Sequence, residues 1–229
     1  MIFTEEFRKN AQKVIIPLWV LISASLFLEQ LLARKIEAEV SSLSGAGIWL
    51  YLAGFMSILF SLVFPILQFW LCFLFLNQKF NLKTVIMDRA FLFQQFLIES
   101  LRSWGKVILY SLFLLLPGFW KYSQLIFVPF VVFFSKNYAQ GKVDALSESR
   151  KRFSQHRIKI LVLIVLFQFV VPAILTSAFD EHKSFLIHPT TALALAFVDT
   201  LILLFFIYKV FEIFKADNEG DLNYEQSIV

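Results

Sequence analysis

The sequence predicts an all-α, polytopic transmembrane helical bundle with six membrane segments and two interfacial amphipathic helices. Three observations carry this. Apolar residues fill 59% of the 229 positions and charged residues only 17%, with a mean hydropathy of +0.72, which leaves too little polar surface for a water-soluble domain. The apolar residues come in runs long enough to cross a hydrocarbon core of about 30 Å. Lys and Arg crowd into the connections on one side of that pattern.

The first span covers 14–32, with Pro17 near its start, where proline is tolerated. MIFTEEFRKNAQK precedes it and no A-x-A site follows, so an uncleaved first helix is expected. The loop ARKIEAEV and the turn residues SSLSGAG lead to a second span at 47–76, long enough to tilt or to kink at Pro65. Over 82–104, apolar Val85, Ile86, Ala90, Phe93, Leu97, Leu101 and Trp104 recur at helical period, opposite Asp88, Gln95, Glu99 and Arg102. This is the pattern of an amphipathic helix at the interface.

Residues 105–135 read GKVILYSLFLLLPGFWKYSQLIFVPFVVFFS. Two apolar arms, 105–116 and 119–135, flank Pro117 and Gly118, the expected turn of a helical hairpin. The first arm is about 18 Å long at 1.5 Å per residue, short of a full crossing, so the hairpin either spans with borrowed length or re-enters. Trp120 and Lys121 are expected at the outer interface. A second amphipathic helix, 142–154, sets Ala145, Leu146, Ser149 and Phe153 on one face. Spans at 158–178 and 190–208 follow, the last opened by Pro189. Residues 1–215 thus form one transmembrane domain, and the acidic tail 216–229 has the composition of an unstructured segment.

The segments assigned to the inside carry all but four of the 21 Lys and Arg residues, the exceptions being Arg34, Lys35, Lys121 and Lys183. Both termini are therefore expected in the cytoplasm. No metal or cofactor is expected: Cys72 is the single cysteine, and His156, His182 and His188 lack ligand partners at metal spacing. No GxGxxG, GxxxxGK[ST], HExxH or GxSxG motif occurs, so the chain reads as non-enzymatic. Nucleic acid is not an expected partner, because no soluble basic domain accompanies the basic residues.

Two groups of polar residues stand out. Asp199 lies about ten residues into the last span and Gln168 about ten into the preceding one. An intramembrane carboxylate marks either a proton- or cation-coupled site or an inter-helix hydrogen bond, here with Gln168. Arg150, Lys151, Arg152, Arg157 and Lys159 form a basic cluster that either binds anionic headgroups, at about 1 kcal/mol per residue, or only sets topology.

The order Leu116-Pro117-Gly118, then Pro129 in an aromatic arm, then Ala145-Leu146-x-x-Ser149 before a basic run, resembles the YciC-like bacterial integral membrane proteins. It is also similar to the membrane domain fused to some glycerophosphodiester phosphodiesterases. The likeness covers roughly 105–165 and departs after Phe153, where Gln155-His156 stand in place of a glycine. The resemblance implies a helical membrane fold in a bacterial inner membrane. It implies no phosphodiesterase activity, because that domain is missing from this sequence. The expected role is to organise lipids or envelope partners, with membrane lipids, and a protein partner or a second copy, as the partners. The alternative is a small transporter or channel, or a membrane subunit of a larger one, that uses Asp199.

Overall fold

The computed structural model describes residues 5–41, 47–76, 90–179 and 183–227. All regular elements among them are helical. In order they are α1 (Glu5–Ser41), α2 (Ile48–Leu76), α3 (Ala90–Phe113), α4 (Leu115–Leu125), α5 (Val128–Phe134), α6 (Lys136–Ala139) and α7 (Ala145–Ile164). A π-helical segment (Val165–Val170), α8 (Val171–Phe179) and α9 (Pro189–Ser227) complete the chain. Five stretches are long and apolar enough to cross a membrane: Val14–Ser41, Ile48–Phe73, Leu115–Phe134, Ala145–Phe179 and Pro189–Ala216.

By its packing the chain divides into two compact units. The first holds residues 1–80 and 172–204, and the second 81–171 and 205–229. In the first unit α1 pairs with α2, and Val14, Leu18, Ile22, Ala53, Ile66, Cys72, Ala192 and Ala196 are buried. Trp19 ties α1 to α9, its indole N–H donating to the Leu193 carbonyl at 2.9 Å and its ring meeting Phe197 edge-on. In the second unit, Phe127, Val128, Phe130, Val131 and Val132 are buried together with Phe206, Ile207, Val210 and Phe214 of α9. Phe130 contacts both Phe211 and Phe214, so Phe127 and Phe130 of the aromatic arm are core packing.

Several boundaries differ from the sequence reading. The amphipathic helix expected at 82–104 and the arm expected at 105–116 are one helix from Ala90 to Phe113; residues 82–89 lie outside the described residues. This continuity leaves five candidate crossings. The amphipathic helix 142–154 and the span 158–178 are also continuous, but His156 has non-helical dihedrals (φ −119°, ψ 24°) where the pattern changes. α9 runs to Ser227, through the acidic tail.

The hairpin does not turn at Pro117 and Gly118. It turns at Leu114, whose backbone is extended (φ −163°, ψ 149°), and both residues lie in the first turn of α4. The reason is steric. A proline ring collides with the carbonyl four residues earlier in a continuous helix, whereas in a first turn its missing N–H has no partner to lose. Gly118 serves contact instead of curvature. A Cβ on it would lie 1.9 Å from Ser111 Oγ and 2.9 Å from Ser111 Cα, so α3 and α4 approach to a distance that only glycine permits. Gly118→Val should therefore lower the thermal midpoint in detergent, costing about 1–3 kcal/mol. Gly105→Ala, whose Cβ would meet nothing within 4 Å, should leave the midpoint unchanged or raise it.

Candidate functional site

Two regions gather chemistry, one in each unit. In the second unit the basic cluster sits on α7. Asp144 caps this helix, its Oδ2 accepting from the Ser147 N–H at 3.1 Å, and Arg102 of α3 donates to Oδ1 at 2.6 Å. Burial works against a charged Asp144, but the Arg102 hydrogen bond, the Ser147 N–H and the charges of Arg102 and Lys106 outweigh it. Its carboxyl consequently titrates below the usual 3.8. Glu99 lies 3.5 Å from the same guanidinium. Tyr138 completes the group, its phenol pushed up by burial first and then by the charges of Glu99 and Asp144.

Asp144 and the α7 register turn Ala145, Leu146, Ser149 and Phe153 inward, all buried. Ser149 Oγ donates to the Gln124 carbonyl at 2.8 Å, which accounts for that serine as a packing contact. The five basic candidates do not form one surface. Arg152 is 4% exposed. Its Nε donates to Glu148 Oε1 at 2.9 Å, its Nη1 reaches the Phe214 carbonyl at 3.4 Å, and its guanidinium lies 4.4 Å over the Phe214 ring. It is a core residue and offers nothing to a headgroup. Arg150, Lys151, Arg157 and Lys159 are exposed.

Trp120 and Lys121, expected at the outer interface, accompany this basic face instead. Trp120 meets Phe153 edge-on at 5.4 Å and carries the Arg157 guanidinium 4.3 Å over its ring. Lys121 lies 5.0 Å over Tyr110 and feels the charges of Arg150 and Lys106. The hairpin tip presents Leu112, Phe113, Leu114, Leu115 and Leu116, each at least 68% exposed. Beside the tip, an apolar groove of about 530 Å³ runs between α3, α4 and the π segment, lined by Ser111, Phe119, Tyr122, Val165 and Phe169 among others. The amide of Gln168, in the π segment, donates to the Tyr122 hydroxyl at 2.7 Å. Gln168 thus has a partner on α4 in the second unit, whereas Asp199 belongs to the first.

Asp199 lines a cavity of about 180 Å³ with Gln30, Thr176 and Lys183, walled by Leu26, Leu175, Phe185 and Leu195. Gln30 fixes the loop that forms one wall. Its Nε2 donates to the Lys183 carbonyl at 3.1 Å, and its Oε1 accepts from the Phe185 N–H at 2.9 Å. Phe27 packs edge-on against Phe185. Gln30 follows Leu26 by one turn of α1, and both line this cavity. Among the described residues no cluster of His, Cys, Asp and Glu has the arrangement of a metal site.

Arg152→Gln should cost on the order of 3 kcal/mol, because it leaves Glu148 in a poorly solvated position without its partner. Arg150→Gln should stay within about 0.5 kcal/mol of the parent, both read by thermal unfolding in detergent. Asp144→Ala should cost about 1 kcal/mol at neutral pH through the lost cap. The Asp144 pKa is depressed in the folded state, so its contribution holds above the unfolded value and fades as pH falls through the folded one. The difference between parent and Asp144→Ala should therefore shrink in acid, below about pH 4, in an unfolding series run against pH.

Comparison with family models, with curated proteins and with solved structures returns no match to this chain.

Proposed function

We propose that this chain is a non-enzymatic, multi-pass protein of a bacterial inner membrane that gathers anionic lipids at its cytoplasmic face. The observation that carries this reading is the pairing of five exposed apolar residues at the hairpin tip with cations around its base. Lys106 and Lys121 bracket the tip in sequence, eight residues before Leu114 and seven after it. Each arm is then about 11–12 Å long at 1.5 Å per residue, enough to enter one leaflet but not to cross a core of about 30 Å. A tip in the acyl region with Arg150, Lys151, Arg157 and Lys159 at headgroup level suits capture of anionic lipid.

In this reading the hairpin is a re-entrant element, and α1, α2, the apolar half of α7 with α8, and α9 cross the membrane. Charge supports it. If Leu115–Phe134 crossed alone, the strongly basic 136–159 would fall on the side opposite the N-terminal Arg8, Lys9 and Lys13, against the positive-inside tendency. A re-entrant hairpin keeps both termini and 136–159 in the cytoplasm and adds Lys121 to them. The six-segment count of the sequence reading then becomes four crossings and one two-armed hairpin. The YciC-like resemblance is part of the same proposal, with Ala145-Leu146 and Ser149 as the residues that seat α7.

Two measurements test it. The quadruple variant Arg150→Gln, Lys151→Gln, Arg157→Gln, Lys159→Gln should lose retained anionic lipid in native mass spectrometry, by roughly five-fold in affinity for each charge removed; undiminished retention would sink the lipid reading. A cysteine at Leu114, with Cys72 replaced by alanine, should resist a membrane-impermeant maleimide added outside intact cells. Ready labelling from outside would mean that the hairpin spans.

A further inference from the structure

The groove beside the hairpin tip is fixed in shape by three contacts. Gly118 lets α4 lie against Ser111 of α3. The Gln168 amide donates to the Tyr122 hydroxyl at 2.7 Å, and Phe119 meets Phe169 edge-on, their ring centroids 5.7 Å apart. The groove holds about 530 Å³, within the range of about 300–1,000 Å³ of small-ligand sites. Its polar side chains are Ser111 and Tyr122, and every other residue that lines it is apolar. Both are engaged within the protein, Ser111 donating to the Val107 carbonyl at 2.9 Å and Tyr122 accepting from Gln168. A ligand lying there gains little from polar groups of its own and loses their hydration.

Size and order narrow the choice. From Leu115 to Tyr122 the lining follows α4 for seven residues, about 10 Å, against about 15 Å for the hydrocarbon of one leaflet. The volume spread over that length gives a cross-section of about 50 Å². An α-helix about 10–12 Å thick fills roughly twice as much, so the groove suits an extended chain and is narrow for a helix of a second copy. Its two ends also differ. Leu115 and Leu116 line it at the exposed tip. At the other end Val107 and Tyr122 adjoin Lys106 and Lys121 in sequence, and Arg150 lies close enough to act on Lys121. Lys121 also contacts Gln124 and Tyr110, and Lys106 acts on Asp144, so neither ammonium is reserved for a ligand. That end offers a local excess of positive charge. Apolar at the tip and cationic at the base is the order of an anionic phospholipid from methyl end to phosphate.

We propose that the groove seats one acyl chain of an anionic phospholipid, its methyl end toward Leu115 and Leu116 and its phosphate at the level of Lys106 and Lys121. This seat rests on the lipid reading above and deepens it, because the captured lipid is held by its chain as well as by its charge.

The test places the full chain in nanodiscs of mixed anionic and zwitterionic phospholipid, one or the other carrying a diazirine near the methyl end of one acyl chain. After irradiation, labelled peptides are quantified by mass spectrometry. The anionic probe should label Phe119, Val165 and Phe169 at least five-fold more than Phe55 and Ile58, exposed apolar residues of α2. Val165→Trp, which fills the groove from a partly exposed position, should cut groove labelling at least five-fold relative to α2. Val165→Phe is the milder filling and serves if the tryptophan variant does not fold. Groove labelling no stronger than that of α2, or unchanged in the filled variants, would overturn the seat. So would ready disulfide-linked dimers of Phe169→Cys with Cys72→Ala, which would give the groove to a second copy. Equal groove labelling by both probes would uphold a chain seat and sink the anionic-lipid reading. Loss of anionic lipid from the quadruple charge variant, with no groove labelling in the parent, would do the reverse.

Discussion

The second unit is organised around a buried guanidinium. Arg152 cannot leave water without replacing its hydration, and it does so with Glu148, the Phe214 carbonyl and the Phe214 ring. Those partners admit one rotation of α7. With Arg152 inward, Ala145, Ser149 and Phe153 must also face the core, and Arg150 and Arg157, seven residues apart, must share a face turned to solvent. The same contact brings the last turns of the apolar part of α9 against α7, which lets Phe211 and Phe214 fill the space around Phe127 and Phe130. The exposed basic face follows from the buried basic residue.

The hairpin shows how two atoms that are absent from side chains and backbone divide one task. Proline lacks an amide hydrogen, so the helix must break upstream of it, at Leu114. Glycine lacks a Cβ, so the returning helix can lie against Ser111. Neither residue makes the reversal itself. The residues that do are leucines and a phenylalanine whose exposure in water would be costly, and their exposure acquires a physical reason when lipid replaces water around the tip.

Much of the helical layout was legible from period and hydropathy alone. The apolar runs of α1, α2, α8 and α9 were plain, and so was the inward face of α7, because a 3.6-residue period survives any tertiary arrangement. The change of pattern near His156 was visible as a boundary, and the structure has a kink there instead of an end. What could not be read was pairing. Nothing in a one-dimensional pattern separates Arg152 from Arg150, since both belong to one basic run and only the third dimension places Phe214 beside one of them. The hydrogen bond of Gln168 to Tyr122 joins positions 46 residues apart, and no period or hydropathy pattern links them. The contacts of Gln30 could not be read because its partners are backbone atoms of a loop more than 150 residues away, and backbone partners leave no trace in residue identity.

The Gln30 amide has a mechanical consequence. Its carbonyl oxygen and its nitrogen hold two points of one short loop from a single rigid plane, so rotating the side chain away breaks both bonds in the same movement. Such a fastening has two states, shut and released, and little between them. Any solute that needs the 183–185 wall to swing aside must break both bonds of Gln30 together.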